Sequence, residues 1–422
     1  TRQEYDWQGR PTLRTNSDGS TREQQYSGCG CAGGEVVTER DERGRRKRLY
    51  HDVLGRLVRV EELNWDQSVY STVWYSYNAR DQLVQINHQG QIRTFEYDGH
   101  GRLWRKVTPE QGVTTYAYNA DDTVRSVTDG RGARQTYQYN GRHQVSGIEY
   151  EAAGGAVATA GVSFGYDETG NRVWMEDGLG RVSYEWDVRG RLSAETRWFR
   201  ELNGSYRLEY SYEVGGALSG VRNPWGAEIS YERDRSGQVV KVRARNYGSV
   251  SEYVRGVEYR AWGGIKRVSY GNGRQLEVRY DNRQRVVRWD VSGGLGWEYA
   301  YNYQGWPIYE NSGRVVYARN LYDGTLDRSY EYDQVGRLIV SHSGTEARSH
   351  VSGINYGVVD GPYAHHYQYD VWGNVVRRVG WGGWNASYEA SYEGNRRSGF
   401  EYDGAGNLVS DGLQRMSYDV TG

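Results

Sequence analysis

The side chains in this sequence that could do acid–base chemistry are carboxylates, and they recur. Asp98, Asp333 and Asp403 each follow a tyrosine (Tyr97, Tyr332, Tyr402) and stand three residues before a glycine (Gly101, Gly336, Gly406). Hydrolytic chemistry with paired carboxylates needs one unique pair at a set separation. A carboxylate repeated in copy after copy predicts a structural role instead. The irregular stretch 303–400 is the one region where a glycosidase-type pair is to be sought. His342, His350, His365 and His366 form the only histidine cluster. Neighbouring residues on a strand point to opposite faces, so His365 and His366 could share a metal only from a loop. Cys29-Gly30-Cys31 is the only cysteine pair. A disulfide across one residue is strained, and two thiolates do not close a zinc site. The expectation is no catalytic residue, no metal and no cofactor.

The repeated carboxylate has a local use. In Phe95-Glu96-Tyr97-Asp98-Gly99-His100-Gly101-Arg102-Leu103, Asp opens a four-residue turn and Gly closes it, which is the type I turn preference. The Asp oxygen accepts from backbone N–H groups further along, and Gly tolerates positive φ. Asp98, Asp333 and Asp403 are expected to cap their own turns, and Gly101, Gly336 and Gly406 to take positive φ. Replacing these Asp residues by Asn should be mild. Replacing the glycines by Val should cost roughly 1 kcal/mol or more. Where Asp is lost Asn usually replaces it, as at Asn78, Asn119 and Asn140. That exchange reads as selection for turn geometry and not for charge.

The motif recurs along the whole chain. From Tyr97-Asp98 the next copies are Tyr118-Asn119, Tyr139-Asn140, Tyr166-Asp167 and Trp186-Asp187, at steps of 21, 21, 27 and 20. A second turn lies between copies, as in Asp129-Gly130-Arg131-Gly132, Asp177-Gly178-Leu179-Gly180 and Asn223-Pro224-Trp225-Gly226. Two turns and two strands fill a period near 20. Tyr-x-Tyr alternation dominates and helical periodicity is not visible. The prediction is an all-β chain of antiparallel hairpin repeats with a period of about 21. Residues 1–422 read as one continuous domain, cleanest over 77–302, with longer loops in 303–400 such as Ser341 to Pro362.

Composition agrees. The 53 basic and 54 acidic residues leave a net charge of −1, which argues against nucleic acid as the main partner. The basic run Arg43–Arg48 is the exception and reads as a solvated turn and strand face. No apolar run approaches the length of a membrane-spanning helix, so no direct membrane insertion is expected. Mean hydropathy is −0.88, yet 58 aromatics are too many for a disordered chain. With 39 Tyr against 4 Phe, the aromatic face should be thin or partly wet, since a buried phenol needs a partner. A flat strip this long would expose its edges and an apolar face, so the twisted meander is expected to coil until one turn of the strip meets the next. The chain starts at Thr1-Arg2-Gln3 and stops inside a copy of the motif, which reads as a segment of something longer.

At these residues the chain resembles the Rhs, or YD-repeat, proteins: bacterial Rhs toxins, insecticidal toxin-complex shells, wall-associated bacterial proteins and animal teneurins. The signature Tyr-Asp-x-x-Gly-Arg-Leu stands verbatim at Tyr97–Leu103 and at Tyr332, Asp333, Gly336, Arg337 and Leu338. Tyr402-Asp403-Gly404-Ala405-Gly406-Asn407-Leu408 is its common Asn variant. The resemblance implies a β-strip spiralling into a large hollow shell, secreted or on the bacterial surface, that encloses a C-terminal cargo polypeptide or supports adhesion. It also implies that Cys-Gly-Cys is a local turn feature. Toxin members carry a self-cleaving core with an Asp-Pro motif; none of the five prolines here follows Asp. A second function class rests on Trp and Tyr rows, which stack on sugars, with glycans or a cell-surface receptor as partner. Choline-binding repeats of similar length lack the Asp-x-x-Gly-Arg turn that is the best-kept feature here.

Overall fold

The computed structural model describes residues 1–28, 33–249, 251–302, 311, 313–352, 361–381 and 387–422. Cys29 and Cys31 lie outside them. The chain divides into two compact units. One combines Thr1–Phe95 with Glu277–Ser398, the other Glu96–Leu276 with Gly399–Gly422.

Both units are built the same way. In the second, strands Leu103–Thr108, Gly112–Tyr118, Val124–Thr128, Arg134–Tyr139 and Val145–Glu151 pair with their sequence neighbours, all antiparallel. The register slips by one residue at the motif tyrosine: Ala117 faces Ser126 but Tyr118 faces Val124. The same slip occurs at Tyr139, Tyr166, Tyr212 and, in the first unit, at Tyr77, Tyr332 and Tyr369. Its cause is the turn. Asp98 N–H donates to the Arg102 carbonyl and Gly101 N–H to the Asp98 carbonyl, while Gly101 sits at φ 86°. This is a type I turn closed by a left-handed residue in a bulge. Gly336 and Gly406 are at 89° and 87°. Asp122, His143 and Gln284 hold the same position at positive φ without being glycine, so the turn is imposed even where its preferred residue is missing.

The two sheet faces differ. In the second unit one face carries Tyr, Val and Leu, and the other carries cross-strand charge pairs such as Arg207–Glu185 and Arg222–Glu209. In that unit the buried apolar residues are small ones, among them Ala133, Val182, Ala194 and Val268, whereas the first unit also buries Leu63. Among the described residues no tyrosine is fully buried. The core is therefore a thin row of small side chains flanked by half-covered phenol rings.

The stretch 303–400 departs from the repeat. Part of the long loop expected from Ser341 is strand and helix: Leu338–Ser343 runs into α1 (Gly344–Ser352). Helical periodicity was invisible there because nine residues give only two and a half turns. Ala347 of α1 is fully buried, above a polar layer of Asp327, Ser329, Ser341 and Ser343. Asp327 accepts from Tyr317 Oη at 2.9 Å and from the Asn320 N–H at 2.8 Å. The longer repeat step at Gly154–Ala158 is explained in the second unit. There Val157 N–H donates to the Tyr418 carbonyl at 2.7 Å, and Val420 N–H donates to Thr159 Oγ1 at 3.0 Å.

Candidate functional site

The residues singled out by the sequence assemble into one local device, repeated turn by turn. At Asp98, Oδ1 accepts from the N–H groups of His100 and Arg102, both at 2.9 Å. Oδ2 accepts from Arg102 Nε at 2.8 Å and lies 2.7 Å from Nη2. The remaining nitrogen, Nη1, reaches the next turn and donates to Asp122 Oδ1 at 2.6 Å and the Asn119 carbonyl at 3.3 Å. The guanidinium lies 4.6 Å from the ring centroid of Tyr118. Tyr118 Oη then donates back to the Leu103 carbonyl at 2.6 Å. Asp, Arg, the next tyrosine and the Leu carbonyl thus form a closed circuit between two consecutive repeats.

The circuit recurs in the first unit. Asp333 Oδ1 caps Val335 and Arg337 N–H at 3.1 and 2.8 Å. Arg337 Nε binds Oδ2 at 2.7 Å, and Nη1 reaches the Asp370 carbonyl at 2.8 Å. Arg337 covers the ring of Tyr369, whose hydroxyl donates to the Leu338 carbonyl at 2.7 Å. Tyr332 Oη donates to the Val315 carbonyl. Asp403 caps Ala405 and Asn407, and Asn407 Nδ2 takes the place of the guanidinium at 2.9 Å.

Sequence reasoning missed two parts of this. The first is the tyrosine hydroxyl. Tyr77, Tyr139, Tyr166, Tyr212 and Tyr259 donate to the carbonyls of Leu57, Val124, Val145, Leu192 and Val239, always the residue opening the strand after the previous motif turn. This is why the chain uses Tyr and not Phe. Where Tyr is absent a substitute donor reaches the same acceptor: Trp186 Nε1 to Arg172, and Arg233 Nη2 to Leu218. The second concerns charge. The exchange of Asp for Asn is not blind to it. Arg four residues on stands behind Asp, as at Asp52/Arg56, Asp187/Arg191 and Asp281/Arg285. Asn turns carry neutral partners, as at Asn78/Gln82, Asn119/Thr123 and Asn140/Gln144. A guanidinium has no acceptor, so it needs a carboxylate opposite, whereas an amide pairs with either. The signal was present in the sequence as that pairing.

The electrostatics follow. Backbone N–H donation from Arg102, together with its guanidinium, holds the Asp98 carboxyl below the usual range. At Asp187 the Arg191 guanidinium and backbone donors bring it to about 2. We therefore expect Asp98→Asn to lower the melting temperature measurably, against the mild effect the turn alone implied. Asp98→Asn combined with Arg102→Gln, which recreates the Asn78/Gln82 pair, should recover most of the loss. Asp370→Asn should be milder than Asp98→Asn, because the Asn374 amide, now 2.8 Å from Oδ2, can turn over. Thermal melts of the three variants check this; equal losses at Asp98 and Asp370 with no recovery in the double variant would contradict it.

The other candidates are structural in their surroundings. His365 stacks on Tyr363 at 5.1 Å, while His366 lies 5.6 Å from His342, on the opposite side of its strand. Among the described residues no group of three His, Cys, Asp or Glu is placed to hold a metal. The basic run is divided between partners: Arg45 with Asp41, Lys47 with Glu39, Arg48 with Glu61.

Comparison with known proteins bears on the repeat and its fold. Residues 4–196 match the teneurin YD-shell family model. Double-stranded DNA deaminase toxin A of Burkholderia cenocepacia is 28% identical over 415 residues, covering 90% of this chain and 26% of that protein. These findings support an Rhs/YD-repeat protein. The probable deoxyribonuclease RhsB of Dickeya dadantii is 26% identical over 277 residues, 61% of this YD-repeat chain and 18% of the relative. The YD-repeat chain thus spans about a quarter or less of these relatives. The TcdB2-TccC3 crystal structure lacking its hypervariable C-terminal region superposes with a TM-score of 0.79 at 14% identity, over 96% of this chain and 23% of that one. The Photorhabdus luminescens Tc holotoxin pore gives 0.79 at 14% identity, over 99% and 24%. The fold is the antiparallel YD-repeat strip of these structures, and the role the family supports is structural and shell-like. No helix of the described residues is long and apolar enough to cross a membrane.

Proposed function

We propose that this chain is a non-enzymatic wall segment of a secreted or surface-exposed Rhs/YD-repeat protein, and that the wall encloses a polypeptide cargo carried by the same longer protein. The observation that carries the reading is the circuit itself. Its carboxylates, guanidiniums and phenols are spent on holding one repeat to the next, which leaves a chemically quiet surface suited to containment. The names of the relatives, a DNA deaminase toxin and a probable deoxyribonuclease, supply the class of cargo, and their much greater length leaves room for it. Residues 1–422 serve as one continuous stretch of that wall, with Tyr97–Leu103, Tyr332–Leu338 and Tyr402–Gly406 as its structural motif residues.

The test is protease protection in the full-length protein. The polypeptide that follows the repeats should resist digestion while the wall is folded and be degraded once the wall is opened by alkali. Degradation at the same rate with the wall intact would refute encapsulation.

A further inference from the structure

One member of the basic run is left over in the first unit. Arg45, Lys47 and Arg48 have carboxylate partners, but among the described residues the Arg46 side chain has no hydrogen bond or ion pair. Arg46 stands directly opposite Arg40 where strand Arg46–Asp52 pairs with Gly33–Arg40. Two guanidiniums at one cross-strand position repel each other, and such a pair destabilises a sheet. Arg48, two residues along the strand, projects from the same face. Across the sheet on Thr21–Ser27, Glu23 faces Arg40 and accepts from its Nη1 at 3.2 Å. Arg40 Nε is shielded from water and has no acceptor, and a buried charged donor left in that state is costly.

These side chains line a cavity of about 190 Å³, with Glu23, Arg40, Arg46, Arg48 and Gln67 in its wall. A wider groove of about 520 Å³ adjoins it and shares Glu23, Arg40 and Arg46. The strands Thr21–Ser27, Gly33–Arg40 and Arg46–Asp52 each have a paired strand on both sides, so the cavity lies within the sheet and not at an edge strand. Its charges do not balance. Glu23 is the one carboxylate in the wall against three guanidiniums. Glu61 approaches Arg48 only to 3.7 Å, and it is shared with Arg59 at 3.5 Å and with the Tyr50 hydroxyl at 2.8 Å. The space suits one oxyanion, and planar guanidinium forks are the donors that hold such groups most strongly.

We propose that this cavity binds an oxyanion of the size of phosphate, held between Arg40 and Arg46 with Arg48 beside them. The anion supplies the acceptor that Arg40 Nε lacks and the counter-charge that Arg46 lacks, and it turns a repelling pair into a bridge between two strands. A ligand that binds only the folded state raises the melting temperature. The test is thermal melting of the whole chain in chloride and in inorganic phosphate at matched ionic strength, together with calorimetric titration of phosphate. Phosphate is kept in the low millimolar range, where its exclusion from protein surfaces has little effect. Three proteins are compared: the unaltered chain, Arg46→Gln, and Arg235→Gln, which removes an exposed turn arginine from the second unit. Phosphate should raise the melting temperature of the unaltered chain and of Arg235→Gln by a few degrees over chloride. Arg46→Gln should lose most of that rise and most of the heat of binding. An equal melt in the two salts with no binding heat for the unaltered chain would overturn the proposal, and this result needs no variant to fold. A rise in Arg46→Gln equal to that of the unaltered chain would overturn it as well.

Discussion

Gly404→Ala is expected to free the C-terminal stretch of the second unit, while Gly99→Ala, at the same place in an almost identical turn, should be tolerated. A methyl group on Gly404 would lie 2.2 Å from the Gly130 carbonyl oxygen, and one on Gly130 would lie 2.1 Å from the Gly404 oxygen. Both obstacles are backbone atoms and have no rotamer to give way. The turn can accommodate the methyl only by backing off. That loosens the 3.5 Å approach of Arg131 to Asp403 and strains the hydrogen bonds of Val157 and Val420 further on. Overpacking of this kind costs about 1–3 kcal/mol. The loss should be local: amide exchange at Val157 and Val420 should accelerate, while the strands Leu103–Tyr139 keep their protection. Gly99 has no atom within 4 Å of its would-be methyl, so Gly99→Ala should leave both exchange and melting temperature near those of the unaltered protein. Equal effects from the two substitutions would show that the contact between Gly130 and Gly404 carries no stability.

The second large effect is alkaline unfolding. The tyrosine of each circuit is the donor, and a phenolate cannot donate. Burial pushes Tyr118, Tyr139, Tyr259 and Tyr369 upward from the ordinary phenol value. Burial and the Glu195 carboxylate push Tyr210 to about 12, and burial takes Tyr330 to about 12. The sign follows from linkage. A group whose pKa is raised by folding contributes its full stability below the unfolded value, near 10, and loses it as pH rises through the folded value. Stability should therefore fall as pH rises above about 10, where Tyr118, Tyr139, Tyr259 and Tyr369 lose the proton they donate, with Tyr210 and Tyr330 following toward pH 12. Phenolate absorbance should rise cooperatively with the loss of β-sheet circular dichroism. At the acid side the depressed Asp167 and Asp187, both near 2, contribute stability above about pH 4 that is lost as pH falls toward 2. Smooth titration of the tyrosines near pH 10 with an unchanged sheet spectrum would contradict the role given to their hydroxyls. Tyr118→Phe isolates one hydroxyl, and its loss should cost about 0.5–1.5 kcal/mol.

What was legible in the sequence is what a turn decides with its own atoms. Asp98 N–H, Oδ1 and Gly101 φ belong to one four-residue loop, so the hairpin, its period and the all-β class follow from residues near one another. The Arg-behind-Asp pairing and the preference for Tyr over Phe were also written there. They were harder to read, because the tyrosine's acceptor lies in the preceding repeat and the bulge that aims the ring is a product of the turn. The helix at Gly344–Ser352 was not legible: it is short, and its burial over Asp327 and Ser329 depends on strands that only the fold brings beneath it. The clearest division is between Gly99 and Gly404. Both stand second in a turn that opens with Asp and closes with Gly, and no local rule separates them. Asp98, Gly101 and the strands they join were determined by hydrogen bonds that close within nine residues. Which of the two glycines may carry a methyl group was decided only by tertiary structure, because the atom that forbids it at Gly404 is the carbonyl oxygen of Gly130, brought there by the return of the strip upon itself and by nothing in the sequence around either turn.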